Sequence, residues 1–212
     1  MMKNKTYSDF LALVRYALGG DLKIDGTIDW PAVLALAEPH GVATRDGGVI
    51  ERLEPAMRPD MGQLMRFVSQ TVSIEKSYAR NRMAVEGLSS FYAAQGMPMM
   101  LLKGYGMSHY WPVPSHRPSG DIDIYLWNQW ESGDRMVREK LGISVESGHE
   151  HHTTFRYKGI MVENHYDFIN TKAHRDAPAI ETELKRLTAK DLCVADPEIA
   201  NLFYPSANFN AI

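Results

Sequence analysis

The chain has 212 residues, 44% of them apolar and 23% charged, with a net charge of −3 and a pI near 6.2. This is the composition of an ordinary soluble globular protein of one large or two small domains, without the basic excess of a dedicated nucleic-acid binder. Cys193 is the only cysteine, which excludes an internal disulfide and suits a reducing cytoplasm, and no run reaches the roughly 18 apolar residues of a membrane span.

The first hundred residues read as helical. Phe10, Leu11, Val14 and Leu18 recur at helical spacing and predict a helix over 7–18, stopped by Gly19-Gly20. Asp29-Trp30-Pro31 is a helix start, a capping carboxylate followed by Pro in the first turn. That helix runs through Val33, Leu34, Leu36 and Ala37 towards His40-Gly41. After a Gly- and Pro-containing loop comes a short helix over 49–56. A long Pro-free pattern from Leu64 through Phe67, Val72, Tyr78, Leu88 and Phe91 then predicts one helix over 61–94.

From there the periods shorten. Residues 97–102 are a buried strand, 105–110 a short helix, and 122–126 a strand. Residues 129–141 form an amphipathic helix ended by Gly142, and 143–146 a short strand. Two further strands, 153–157 and 160–168, flank Lys158-Gly159 as a hairpin turn, and 177–188 is a charged helix. The expected layout is α+β: a mixed β-sheet with flanking helices over 96–190, preceded by a helical region over 1–95. Residues 191–212 begin a C-terminal helical part.

The chemistry gathers around Ser119-Gly120-Asp121-Ile122-Asp123. Strand side chains alternate, so Asp121 and Asp123 share one face and Ile122 and Ile124 the other. Two like charges side by side raise each other's pKa. A hard cation such as Mg²⁺, which is held by one or two carboxylates and substrate phosphates, relieves that repulsion. On the strand over 160–168, Glu163, His165 and Asp167 share a face; either this is a third carboxylate for a two-metal site or it is a solvated edge. Lys103-Gly104-Tyr105 lies where a strand turns into a helix, which is either a phosphate cradle or a plain turn with an exposed Lys. Arg117 reaches a phosphate or pairs with an aspartate. His149-Glu150-His151-His152 matches no familiar zinc spacing, leaving substrate contact or a polar strand entrance.

Together these residues resemble nucleotidyltransferases of the DNA polymerase β type. More narrowly, they resemble the bacterial family of uncharacterised nucleotidyltransferases. The carriers are Leu101-Leu102-Lys103-Gly104, Arg117, Gly120-Asp121-Ile122-Asp123 and Glu163-Asn164-His165, with a helical lead-in around Asp29-Trp30 and His40-Gly41. The resemblance covers about residues 25–212. It implies further helices beyond Ile212.

It also implies an enzyme that moves an NMP from an NTP to an acceptor hydroxyl and releases pyrophosphate. Asp121, Asp123 and Glu163 would be the catalytic and metal-binding acids for one or two Mg²⁺ ions, with Mn²⁺ as a substitute. Lys103, Gly104, Tyr105, Arg117, Ser119 and Gly120 would contact the nucleotide, and His165 and His151 the substrate. Glu163 serves as metal ligand or as general base. The acceptor is a small molecule, a protein or, less favoured by the acidic pI, a tRNA end. Two departures stand out: Lys103-Gly104-Tyr105 replaces the usual Gly-Ser, and the interval from Gly104 to Asp121 is long. A non-catalytic nucleotide-binding module with the same fold, or a metal-dependent phosphohydrolase, is the competing reading.

Overall fold

The computed structural model describes residues 2–37 and 47–212, so the expected helix end at His40-Gly41 lies outside the described residues. The chain divides into two compact units, one of residues up to Ser77 with Trp111–Pro118, the other of Tyr78–Tyr110 with Ser119–Ile212.

The first unit is helical. Helices α1 (Met2–Ala17), α2 (Trp30–Ala37) and α3 (Gly47–Arg52) and the first part of α4 (Met61–Ala93) enclose Phe10, Leu13, Trp30, Val33, Ile50, Leu53 and Phe67. Asp29 Oδ1 accepts from the Ala32 amide, as the capping signal predicts. The Trp30 indole N–H donates to the Met57 carbonyl at 2.9 Å, which satisfies its one polar atom within the apolar cluster. Helix α3 begins before the expected 49–56 span and stops at Arg52, and a separate 3₁₀ turn follows at Pro55–Met57.

The second unit is built on a seven-stranded mixed sheet: β1 (Met99–Leu101), β2 (Ile122–Tyr125), β3 (Val145–Glu146), β4 (His152–Tyr157), β5 (Ile160–His165), β6 (Val194–Ala195) and β7 (Leu202–Tyr204). Their order is β3-β4-β5-β2-β1-β7-β6, with β2 parallel to β5, β1 parallel to β7 and the other pairs antiparallel. One sheet face carries Ile122, Ile124, Leu101 and Val162. It packs against Val85, Leu88 and Tyr92 from the end of α4 and Val137 from α5 (Trp130–Leu141). On the opposite face Met100, Leu102 and Tyr125 meet Trp127, Phe168 and Phe209. Helix α6 (Ala177–Leu187) and the one-turn α7 (Ala207–Asn210) complete the unit.

Several expected elements are trimmed. The expected helix at 105–110 is a 3₁₀ segment, Gly104–Tyr110, and the strand expected over 160–168 ends at His165. Strands β6 and β7 escape sequence reading because two or three residues are too few to display a period of two. No described helix is long and apolar enough to cross a membrane.

Candidate active site

The site forms where β2 and β5 run side by side. Their parallel pairing sets Asp123 opposite Glu163 and Tyr125 opposite His165. The strand alternation that sends Ile122 and Ile124 into the core turns Asp123 to the other face, and the same alternation on β5 sends Val162 inward and Glu163 and His165 outward. The result is a convergence. His165 Nε2 lies 3.1 Å from Asp123 Oδ1 and 3.4 Å from Glu163 Oε2. Asp123 is 1% exposed and His165 is 2% exposed.

Lys103 closes the group from the end of β1. Its Nζ is 3.1 Å from Asp123 Oδ1 and 3.6 Å from Glu163 Oε2, on a side chain that is 60% exposed. Gly104 follows at φ +57°. A Cβ there would lie 3.2 Å from Asp123 Oδ2 and 3.9 Å from Asp121 Oδ1, so both carboxylates face this glycine. Asp121 itself stands in a bend just before β2 rather than in the strand. The segment after Gly104 is 3₁₀ and not α-helical, which gives poorer hydrogen-bond alignment than the expected helix. Lys103 is therefore the main positive charge at this turn.

The electrostatics follow the geometry. Burial pushes the Asp123 carboxyl up, but the hydrogen bond from His165 and the Lys103 ammonium outweigh it and hold the group below the usual carboxylate range. Burial pulls Lys103 down, yet Asp123, Glu163 and Asp121 carry it above its ordinary value. On β4, His152 faces His165 in the hairpin register, with its Nε2 3.8 Å from Glu163 Oε1. Burial and the neighbouring His165, His151, His149 and Lys103 lower the His152 pKa to about 4. His151 is lowered too, by burial first and then by His165 and Lys103.

The remaining sequence-named residues are distributed unevenly. Tyr105 turns its ring into the core, where it stacks on Tyr78 at 5.0 Å, so only its backbone borders the turn. Ser119 Oγ accepts from Asn81 Nδ2 at 2.9 Å, and Gly120 has open space around it. Arg117 belongs to the helical unit, where its guanidinium lies over the Trp111 ring and burial lowers its pKa. The Asp167 carboxylate leaves the face shared by Glu163 and His165 and pairs with Lys185 at 2.6 Å. Its carbonyl, however, lies 3.2 Å from His165 Nδ1. A carbonyl only accepts, so Nδ1 carries the proton and Nε2 faces the acids. The His151 ring lies 5.6 Å from that of His165.

The donor set fits a divalent cation. Among the described residues, Asp123 Oδ2 is buried without a hydrogen-bond partner, beside the glycine whose missing side chain leaves it room. Single donor atoms of Asp123, Glu163 and His165 all lie within 4.8 Å of one another. Beside them opens a pocket of about 330 Å³ with apolar walls from Leu102, Met107, Phe168 and Phe209, and with Lys103 and His165 in its lining. It falls within the size range of small-molecule sites.

Sequence reasoning passed over two contacts here. One is the bridging of both acids by Lys103, which needs β1 and β2 to be neighbours. The other is His152, for which a signal existed: a two-residue turn at Lys158-Gly159 pairs Tyr157 with Ile160 and hence His152 with His165. A family model described as uncharacterised nucleotidyltransferase matches residues 26–202. No curated protein and no solved structure matches the chain. The family match takes in Lys103, both aspartates, Glu163 and His165 together with most of the rest of the chain, which therefore belongs to the uncharacterised nucleotidyltransferase family.

Proposed function

We propose that the protein is a Mg²⁺-dependent nucleotidyltransferase that moves an NMP from an NTP to a hydroxyl of an acceptor and releases pyrophosphate. The observation that carries this reading is the in-register pairing of Asp123 with Glu163, with Asp121 facing the same glycine turn as Asp123. Asp121 and Asp123 are the residues to hold Mg²⁺ against the triphosphate, and Glu163 is the third acid. The bound cation would neutralise phosphate charge and lower the pKa of the acceptor hydroxyl.

The protein's own groups then have distinct tasks. Lys103, on an exposed stem, swings from the carboxylates to the β- and γ-phosphates, and Gly104 lets the backbone come close to them. Glu163 would share a second cation position with Asp123 or, alternatively, receive the acceptor's proton. The acceptor oxygen bonds to the α-phosphorus, the bond from that phosphorus to the bridging oxygen breaks, and the electron pair leaves with pyrophosphate. The pocket beside Lys103 has room for a nucleobase. Without a basic excess, the chain suits a small molecule or a protein as acceptor better than tRNA.

The test is titration of ATP, GTP, CTP and UTP with Mg²⁺ into the native protein, Asp121→Asn/Asp123→Asn and Glu163→Gln, followed by pyrophosphate release with candidate acceptors. Binding should vanish in the double variant. Glu163→Gln should keep binding but lose about 10²- to 10⁴-fold in turnover, the usual contribution of a general base. Native protein that is folded yet binds no NTP would refute the proposal. The contact of His165 with Asp123 also suits a phosphohydrolase that activates water. That reading predicts inorganic phosphate from the NTP and no dependence on acceptor.

A further inference from the structure

We propose that His165 is itself a cation ligand. With Asp123 and Glu163 it makes a mixed nitrogen–oxygen position that takes a first-row transition ion, Mn²⁺ above Mg²⁺. The inference rests on the reading above that these carboxylates hold a cation, and it assigns a different chemistry to one of the two positions.

The spacing is the first argument. Metal–ligand bonds of about 2.1 Å put neighbouring ligands about 3.0 Å apart in an octahedron and about 3.4 Å apart in a tetrahedron. His165 Nε2 stands 3.1 Å from Asp123 Oδ1, as a hydrogen bond, and 3.4 Å from Glu163 Oε2, so a cation replacing that hydrogen bond would find its ligands already at such edge lengths. The second argument is orientation. His165 Nδ1 donates to the Asp167 carbonyl at 3.2 Å, the outer hydrogen bond that fixes the ring of a metal-ligating histidine and leaves Nε2 as the donor nitrogen. Nε2 is thereby aimed at the two carboxylates, where a bound cation would displace its hydrogen bond to Asp123 and the Lys103 ammonium that now rests between them.

Asp123 can serve two positions because its oxygens diverge. Oδ1 faces His165, whereas Oδ2 is the orphaned atom beside Gly104, on the side that Asp121 Oδ1 also approaches. The Asp121 side offers oxygen alone, which suits Mg²⁺. The His165 side adds an imidazole, which favours first-row transition ions over Mg²⁺, Mn²⁺ being the weakest-binding of that series. His151, His152 and His165 also bring donor atoms within 4.8 Å of one another. An all-histidine site is disfavoured, because the single free nitrogen of His165 faces the two carboxylates. His152, 3.8 Å from Glu163 Oε1, borders the mixed position.

The experiment uses Mn²⁺ on the metal-free protein without nucleotide, read by electron spin-echo modulation from coordinated ¹⁴N and by competition with Mg²⁺. Nitrogen coupling should be present in the native protein and persist in His149→Gln/His151→Gln/His152→Gln, but disappear in His165→Asn. Mn²⁺ should bind the native protein at least about tenfold tighter than Mg²⁺, and that preference should shrink in His165→Asn. Coupling absent from the native protein overturns the inference, as does coupling lost in the triple variant while Mn²⁺ stays bound. The triple variant leaves His165 in place, so the test stands even if His165→Asn does not fold. Bound Mn²⁺ without nitrogen coupling defeats this inference alone; failure of any divalent cation to bind defeats the cation-dependent reading as well.

Discussion

Replacing Gly104 by alanine probes the turn beside the acids. Its φ of +57° is a left-handed conformation, which costs an alanine roughly 1–2 kcal/mol relative to glycine. The added Cβ would also lie 3.2 Å from Asp123 Oδ2 and 3.4 Å from the Asp121 carbonyl. Asp123 has little freedom to retreat, since His165 and Lys103 hold its other oxygen. The combined loss should be about 1–3 kcal/mol. For a protein of this size that lowers Tm by about 3–10 °C. Because the methyl group would cover the orphaned oxygen, divalent-cation affinity should fall as well. Thermal unfolding with and without cation reads both effects. Gly104→Asn separates the backbone from the contact: asparagine tolerates the left-handed region but carries the same Cβ, so the backbone part of the loss should return while the cation defect remains. Gly120→Ala, in open space, is the control. A Gly104→Ala protein with native Tm and native cation affinity would refute the placement of the carboxylates against this turn.

Two further outcomes follow from the same geometry. His152 has a folded pKa of about 4 against an ordinary 6.5, so it stays neutral in the native state while the unfolded chain takes up a proton. Its contribution to stability should therefore be fully present above about pH 6.5 and decline as pH falls towards 4. The unscreened ceiling is about 3 kcal/mol, and solvent screening should reduce the observable part to on the order of 1 kcal/mol. Urea unfolding in EDTA between pH 7.5 and 4.5, native against His152→Gln, measures it; parallel pH profiles would reject the assignment. Lys103→Gln removes the cation that rests on Asp123 and Glu163. Without nucleotide, affinity for Mn²⁺ should rise about two- to fivefold, the worth of an exposed ion pair. NTP affinity should fall in the same variant, and isothermal titration reads both. A fall in Mn²⁺ affinity would make Lys103 a support of the site rather than a competitor for it.

Much of this is legible in the sequence. Period-two alternation alone put Asp123 opposite in sense to Ile122 and Ile124, and Glu163 together with His165 on one side of their strand. The glycine after Lys103 marked the turn, and Lys158-Gly159 marked the hairpin. Asp167 was misplaced by the same reasoning, because alternation holds only while the strand lasts. The chain leaves the sheet after His165, and the Asp167 carboxylate turns to Lys185. Tyr105 also looked like part of a ligand loop, until core packing on Tyr78 claimed its ring.

The family motif, the apolar periods and the sidedness of each strand are local properties, set by covalent geometry and the order of residues, and the sequence by itself determined them. Which strands become neighbours is not local. That β2 lies parallel to β5 with Asp123 level with Glu163, and that β1 brings Lys103 to both, depends on hydrogen bonding and core packing between segments tens of residues apart. A slip of one residue in that register would exchange Glu163 for a core-facing neighbour and dissolve the site. The tertiary structure alone decided that His165 faces the acids with one nitrogen already committed to a carbonyl.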